Sequence, residues 1–210
     1  MAFVPAASGS TEIASTSKVE LQTQEWCLPE GAVRLSTHLT LRDGATVAMR
    51  AIRADDKERL QAFHARLSLE TVYLRFFSYL RVLTPQMAEH LTHVDYENRM
   101  ALVATTRNGS DEQIVADVRY DRAGPAVAEV AFVVEDAWQG HGIATPLLYR
   151  LAAYARGHGI MDLVALTMSE NIRIHTLLCH SGFPASVIPY RDMTEVRLDI
   201  SRPPVSAYAQ

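Results

Sequence analysis

The stretch that most constrains this chain is one in which an apolar strand turns into an amphipathic helix through two glycines. Residues 126–134 are apolar apart from Glu129 and read as a strand. Gln139-Gly140-His141-Gly142-Ile143-Ala144-Thr145 follow. A helix is then expected from about 142 to 157, with Leu147, Leu148, Leu151, Ala152 and Ala155 on one stripe. A strand that turns tightly into a helix leaves the first helical N–H groups without partners. Those donors and the positive end of the helix dipole suit phosphate oxygens, and small residues let a ligand approach the backbone. Pro146 has no N–H to leave unpaired, and its φ fits a first turn. On the glycines alone, a plain strand–turn–helix connection is the better account. A dinucleotide-binding turn is excluded: Thr145 stands where the third glycine belongs, and Asp162 precedes a strand instead of ending one. No Gly-Lys-Ser/Thr is present to make a nucleoside triphosphate loop.

The surrounding pattern predicts a mixed α/β fold. Two short strand-like runs flank Asp43-Gly44, a hairpin signal. Asp55 and Glu58 form a capping-box pattern for a helix to about 66, with Leu60 and Phe63 on its apolar face. Ser68 and Thr84-Pro85 mark the starts of two more helices. Strands are expected over 100–104 and 113–120, separated by the Asn108-Gly109 turn, and again over 163–167 and 194–200. Between the last two, 171–181 reads as a helix ended by Gly182. The Ala-, Ser- and Thr-rich residues 1–36 are expected to form a flexible tail, 37–203 the domain, and 204–210 a short C-terminal tail.

Composition narrows the class. The 210 residues, 48% hydrophobic and 21% charged, suit one ordinary globular domain. A net charge of −4 without a basic run argues against nucleic acid as a partner. Cys27 and Cys179 lie far apart and lack metal-type spacing. Cys179 is expected to be buried. The N-terminus lacks a signal-peptide pattern, and no apolar run is long enough for a bilayer, so a cytoplasmic protein with no membrane partner is expected. His90, His93 and Asp95 are close in sequence but read as a solvated helix end, so no metal is expected.

Glu129 is the one charge in the 126–134 strand and shares a face with Val127, Ala131 and Val133. A carboxylate there is expected to be partly stripped of water, which suits a base working near neutral pH. A buried pair with Arg119 or Arg75, without chemistry, is an equal account of it. Glu135 and Asp136, in the connection after the strand, rank lower as bases.

Gln139-x-x-Gly142-x-Ala144, the long apolar strand before it, and Asn171 followed by Gly182-Phe183 resemble the acyl-CoA signature of the GNAT superfamily of N-acetyltransferases. The resemblance covers roughly residues 38–200. Residues 67–78 and 94–104 further resemble the bacterial protein-lysine acetyltransferase branch, in which the domain is often fused to a nucleotide-sensing or acyl-CoA-synthetase-like domain. A free-standing catalytic module is expected here.

The resemblance implies a central, mostly antiparallel twisted sheet of roughly six to seven strands flanked by about four to five helices. It implies acetyl-CoA as co-substrate, with its pyrophosphate on the N–H groups of Gly140, His141, Gly142, Ile143, Ala144 and Thr145, beside Gln139. The pantetheine would pair with the backbone of Phe132, Val133 and Val134, and Asn171 would contact CoA besides capping its helix. It implies Glu129 as the base and a protein lysine as acceptor, with homodimerisation left open. A small amine as acceptor, or an acyl-CoA sensor without catalysis, are the alternatives. Family members often carry a tyrosine acid where this chain has Leu178, a departure that leaves the thiolate without the usual proton donor.

Overall fold

The computed structural model describes residues 36–41, 43–109 and 111–205. Almost all of the expected 1–36 tail, with Cys27, therefore lies outside the described residues. The first elements are β1 (Thr37–Thr40) and β2 (Thr46–Ala51), a hairpin whose turn is tied by Asp43 Oδ1 accepting from the Ala45 N–H at 3.0 Å. Three helices follow: α1 (Lys57–Arg66), α2 (Leu69–Phe76) and α3 (Pro85–Thr92). Then come β3 (Arg99–Asn108), β4 (Asp111–Arg122) and β5 (Val127–Val134). The chain continues through α4 (Ala144–Gly157), β6 (Asp162–Met168), α5 (Ile172–Cys179), β7 (Ala185–Tyr190) and β8 (Met193–Asp199).

Helix starts follow side-chain chemistry. The Ser68 hydroxyl accepts from the Thr71 N–H at 3.1 Å, and the Thr84 hydroxyl accepts from the Met87 N–H at 3.3 Å with Pro85 in the first turn. The start of α1 corrects the expectation. Asp56, not Asp55, is the cap residue, and a 3-10 turn, Ala54–Asp56, leads into the helix. The reason is Arg50. Its buried guanidinium forks the fully buried Asp56 carboxylate at 2.6 and 2.8 Å, and that carboxylate also accepts from the Arg53 N–H at 2.9 Å. A strand ion pair thus sets where the helix begins.

The strands form one eight-stranded sheet in the order β1-β2-β3-β4-β5-β6-β8-β7, antiparallel throughout except for β5 beside β6. The strand the sequence did not announce is β7. All its residues are exposed and Pro189 interrupts it, so no alternation marks it. It survives as the outermost strand, paired only with β8, where a proline without an N–H is tolerated.

Two cores lie on the two faces. Ala128 and Val130 of β5 pack with Leu147, Leu148 and Leu151 of α4 and with Leu178 of α5. Val133, one face over, packs with Ala101, Val103, Leu60 and Phe63 under α1 and α3. Burying each such leucine or phenylalanine side chain stabilises the fold by about 1.5–3 kcal/mol before entropy is counted.

Candidate active site

The site begins where the sheet comes apart. Strands β5 and β6 pair only over Val127–Glu129 and Asp162–Val164. The Ala126 carbonyl accepts from the Met161 and Asp162 N–H groups at 2.7 and 3.1 Å, whereas the Glu135 N–H donates to the Val115 carbonyl of β4 at 2.9 Å. Backbone groups alternate sides along a strand, so even-numbered residues of β5 address β6 and odd-numbered ones address β4. Past Glu129 the pairing with β6 ends. The backbone of Phe132 and the N–H of Val134 therefore face an opening instead of a strand. The Val134 carbonyl is held by Gln139 Nε2 at 3.0 Å. Val133, expected to join this edge, does not: it stands opposite Asp117, directs its backbone to β4 and buries its side chain.

At the end of this opening lies the glycine turn. Gly140 and Gly142 have φ of 81° and 86°. A Cβ at either would meet nothing within 4 Å, so the requirement is conformational, not spatial. No side chain caps α4, and its first backbone bond is from the Leu147 N–H to the Ile143 carbonyl at 3.4 Å. Among the described residues, no N–H of residues 140–145 donates to a protein acceptor. A run of unpartnered backbone donors at a helix start is the kind of place that favours an anion.

Side chains brace the cradle from three elements. Gln139 Nε2 also donates to the Thr71 hydroxyl of α2 at 3.2 Å, and its Oε1 accepts from Arg173 of α5. His141 Nε2 lies 3.3 Å from Asp43 Oδ2, and its Nδ1 lies 3.1 Å from the Gln139 carbonyl. Asn171 caps α5, its Oδ1 accepting from the Ile174 N–H at 3.3 Å, which leaves its amide donor free for another role. Arg173 was not singled out from the sequence. Its signal was there: a cation in the first turn of a helix opposes the helix dipole, which invites a search for an anion.

The carboxylates separate by partner. Arg66 forks Glu135 at 3.0 and 2.9 Å. Asp136 accepts from the Ser68 N–H at 2.9 Å, the Ser68 hydroxyl at 2.7 Å and the Thr71 hydroxyl at 2.8 Å. Burial raises the Asp136 carboxyl, but those donors outweigh it and hold it below the ordinary range. Both are structural anchors. Glu129, by contrast, has no hydrogen bond or ion pair among the described residues. It is exposed, which corrects the expectation of a desolvated strand carboxylate. Helix α2 packs on β5 and β6, yet it leaves the Glu129 side chain, at the end of the stretch where those strands pair, open to solvent. The alternative account, a pair with Arg119, is not seen among the described residues, because Arg119 forks Asp117, with Nε at 3.0 Å from Oδ1. Arg75 of α2 feels the Glu129 charge. Burial and Arg119 push its guanidinium down and Asp117, Glu129 and Asp121 push it up, with a net value of about 10, so it stays charged at neutral pH.

Two sequence readings near α5 divide. Leu178 is fully buried in the core, so no proton donor stands there. Cys179 is exposed, contrary to expectation, because the inward position on this helix belongs to Leu178 and the next residue points about 100° away. Asp95, once grouped with His90 and His93, accepts from the N–H groups of Glu97, Asn98 and Arg99 at 3.0, 2.8 and 2.8 Å. Its carboxyl is pushed up by burial but brought down to about 2 by these bonds, so it closes a turn.

A family model described as an acetyltransferase (GNAT) domain matches residues 46–184. The chain belongs to the GNAT acetyltransferase family. The chain is 30% identical over 158 residues to an acetyltransferase of Pseudomonas aeruginosa, covering 75% of this chain and 84% of that one. It is 31% identical over 167 residues to the acetyltransferase Pat of Mycolicibacterium smegmatis, covering 79% of this chain and 48% of that protein, so it spans about half of that relative. Among solved structures, the GNAT domain of S. lividans PAT superposes with a TM-score of 0.74 at 34% identity, covering 81% of this chain and 99% of that one. These GNAT relatives bear out the resemblance to the bacterial Pat branch, and the protein is an acyl-CoA-dependent N-acetyltransferase. The helices and the mostly antiparallel sheet are those of the GNAT fold, with one strand more than the sequence announced.

Proposed function

We propose that the protein transfers the acetyl group of acetyl-CoA to the side-chain amine of a protein lysine. The observation that carries this is the run of unpartnered N–H groups over residues 140–145, next to the opening between β5 and β6. That run suits a pyrophosphate, with Arg173 at its edge adding positive charge. The unpaired backbone of Phe132 suits an amide-bearing pantetheine arm laid alongside β5, which leaves the Val134 N–H beside it for the thioester end.

Glu129 lies on the strand that borders the opening and, among the described residues, has no hydrogen bond or ion pair that would occupy its carboxylate. A free lysine is mainly ammonium near neutral pH, its pKa being roughly 10.4. Glu129, directly or through a water, takes that proton. The amine nitrogen then bonds to the thioester carbonyl carbon, and the Val134 N–H is suited to the oxygen that gains charge. The C–S bond breaks and sulfur leaves with the electron pair. Thiol pKa values near 8.5 make thiolate a tolerable leaving group, so Leu178 in place of a proton donor is no bar. The second nitrogen proton passes to solvent.

The test is a bacterial lysate incubated with the protein and labelled acetyl-CoA, analysed by mass spectrometry. Label on protein lysines supports the reading, and label confined to small amines moves the acceptor to metabolites. Binding of acetyl-CoA without release of CoA, over proteins, peptides and amines alike, establishes a sensor instead.

A further inference from the structure

A cleft of about 500 Å³ lies between α2 and the connection from β6 to α5, lined by Leu69, Glu70, Tyr73, Leu74, Tyr79 and Glu170. Its place follows from two contacts and one sequence adjacency. Helix α2 packs on both β5 and β6, its Thr71 hydroxyl meets Gln139 of the glycine turn, and Glu170 immediately precedes Asn171. The cleft therefore borders the opening between β5 and β6, but Glu129 does not line it.

Its chemistry is specific. Tyr73 and Tyr79 stack with ring centroids 4.9 Å apart, and Tyr79 remains 66% exposed. Leu69 is 55% exposed on the same wall. Glu70 and Glu170 are exposed, and neither has an ion-pair partner among the described residues. An apolar floor, aromatic faces and carboxylates at the rim match one kind of occupant: an aliphatic stem ending in a cation. An acidic metabolite would meet repulsion, and an apolar side chain would leave both carboxylates unanswered. Phe76, by contrast, turns inward against His64 at 5.7 Å, so only part of the aromatic cluster in this segment serves the cleft.

We propose that this cleft is a recognition subsite for a second basic side chain, lysine or arginine, that flanks the target lysine on the acceptor polypeptide. The proposal rests on the reading of the β5–β6 opening as the acyl-transfer site for protein lysines. Glu70 and Glu170 hold the cationic head, Tyr73 and Tyr79 its flank, and Leu69 and Leu74 its stem. The enzyme would then select lysines within basic sequence by the spacing between the cleft and Glu129.

The experiment uses single-lysine peptides that carry either arginine or its uncharged isostere citrulline at successive offsets from the lysine. The expected result is a kcat/KM about tenfold higher for arginine at a narrow set of offsets, a preference weakened by added salt. A Glu70→Gln/Glu170→Gln protein should lose that preference, and Tyr79→Leu should reduce it, while both still bind acetyl-CoA. No preference at any offset, or a preference intact in the double variant, overturns the subsite while leaving lysine acetylation standing. If the protein binds acetyl-CoA but acetylates no peptide and no lysate protein, the acceptor reading fails, and the subsite with it.

Discussion

At the residue scale, function turns on which side chains are left without partners. Among the described residues Glu129 has no hydrogen bond or ion pair, whereas Glu135 is held by Arg66 and Asp136 by Ser68 and Thr71. Glu129→Gln is therefore expected to lower kcat about 100-fold or more at neutral pH, with acetyl-CoA affinity unchanged. Stopped-time assays of CoA release with equilibrium binding on the same protein check it, and full turnover would remove Glu129 as the base. The Nε2 of His64 lacks a hydrogen-bond partner among the described residues for the opposite reason, burial. The residue is 4% exposed and borders a cavity of about 20 Å³ beside Arg75, Asp117 and Arg119. Such a space holds about one water. Burial pushes the imidazole below its ordinary range. The folded state thus takes up a proton less readily than the unfolded chain, whose histidine titrates near 6.5. The stability this group contributes is complete above about pH 6.5 and declines as the pH falls below it. His64→Leu should flatten the dependence of Tm on pH between about 6.5 and 5, and an unchanged slope would assign that dependence elsewhere.

At the element scale, the start of α4 and the start of α2 are built differently. Helix α4 begins without a side-chain cap, on glycines at positive φ. Gly142→Ala should cost about 1 kcal/mol of stability and weaken acetyl-CoA binding by a larger factor, since a shifted turn misaims the N–H groups of 140–145. Denaturant titration and ligand titration separate the two effects. Helix α2 is anchored from outside, by the Asp136 carboxylate on its cap residue. Asp136→Ala should destabilise the protein by about 1–2 kcal/mol and, because Thr71 also touches Gln139, raise the KM for acetyl-CoA. If stability falls with KM untouched, α2 does not brace the turn. The turn and the strand before it were legible in the sequence because they are local: glycine placement, a proline in a first turn, and an unbroken apolar run. The edge strand β7 and the 3-10 start of α1 were not, since one depends on a neighbouring strand and the other on a buried arginine from β2.

At the scale of the whole molecule, a charge network ties the first hairpin to α1 and β4. Arg50 forks Asp56 and also Glu112, the latter at 2.9 and 3.0 Å, and Arg59 reaches Asp56 at 3.1 Å. The Arg50 hydrogen bonds lead in lowering Glu112, to about 2; Asp56 is also lowered, because its bonds to Arg50 outweigh burial. Both carboxyls are depressed in the folded state, so their stabilising contribution is present above the unfolded range near 4 and is lost as the pH falls toward 2. Thermal unfolding should therefore show a steep loss of Tm below about pH 4, distinct from the His64 window, and Glu112→Gln should make that loss shallower. A Tm that stays level to pH 2.5 would show that the network does not carry acid stability. Within the described residues no helix is long and apolar enough to cross a membrane.

The sequence by itself determined what local covalent order can encode: the apolar strand, the glycine turn, the helix caps at Ser68, Thr84 and Asn171, and through their spacing the GNAT resemblance. Tertiary structure decided which groups remain available. Only the divergence of β5 from β6 turns the backbone of Phe132 and Val134, and not Val133, toward an opening. Only packing leaves Glu129 exposed while its neighbours on the strand are closed in, places Arg173 beside Gln139, and sends Leu178 rather than Cys179 into the core. The glycine turn was legible as a turn because it is a property of consecutive residues, whereas a role for it came only with the resemblance of its surroundings. The carboxylate that would work with it could be named but not judged, because desolvation and pairing depend on elements far away in the chain.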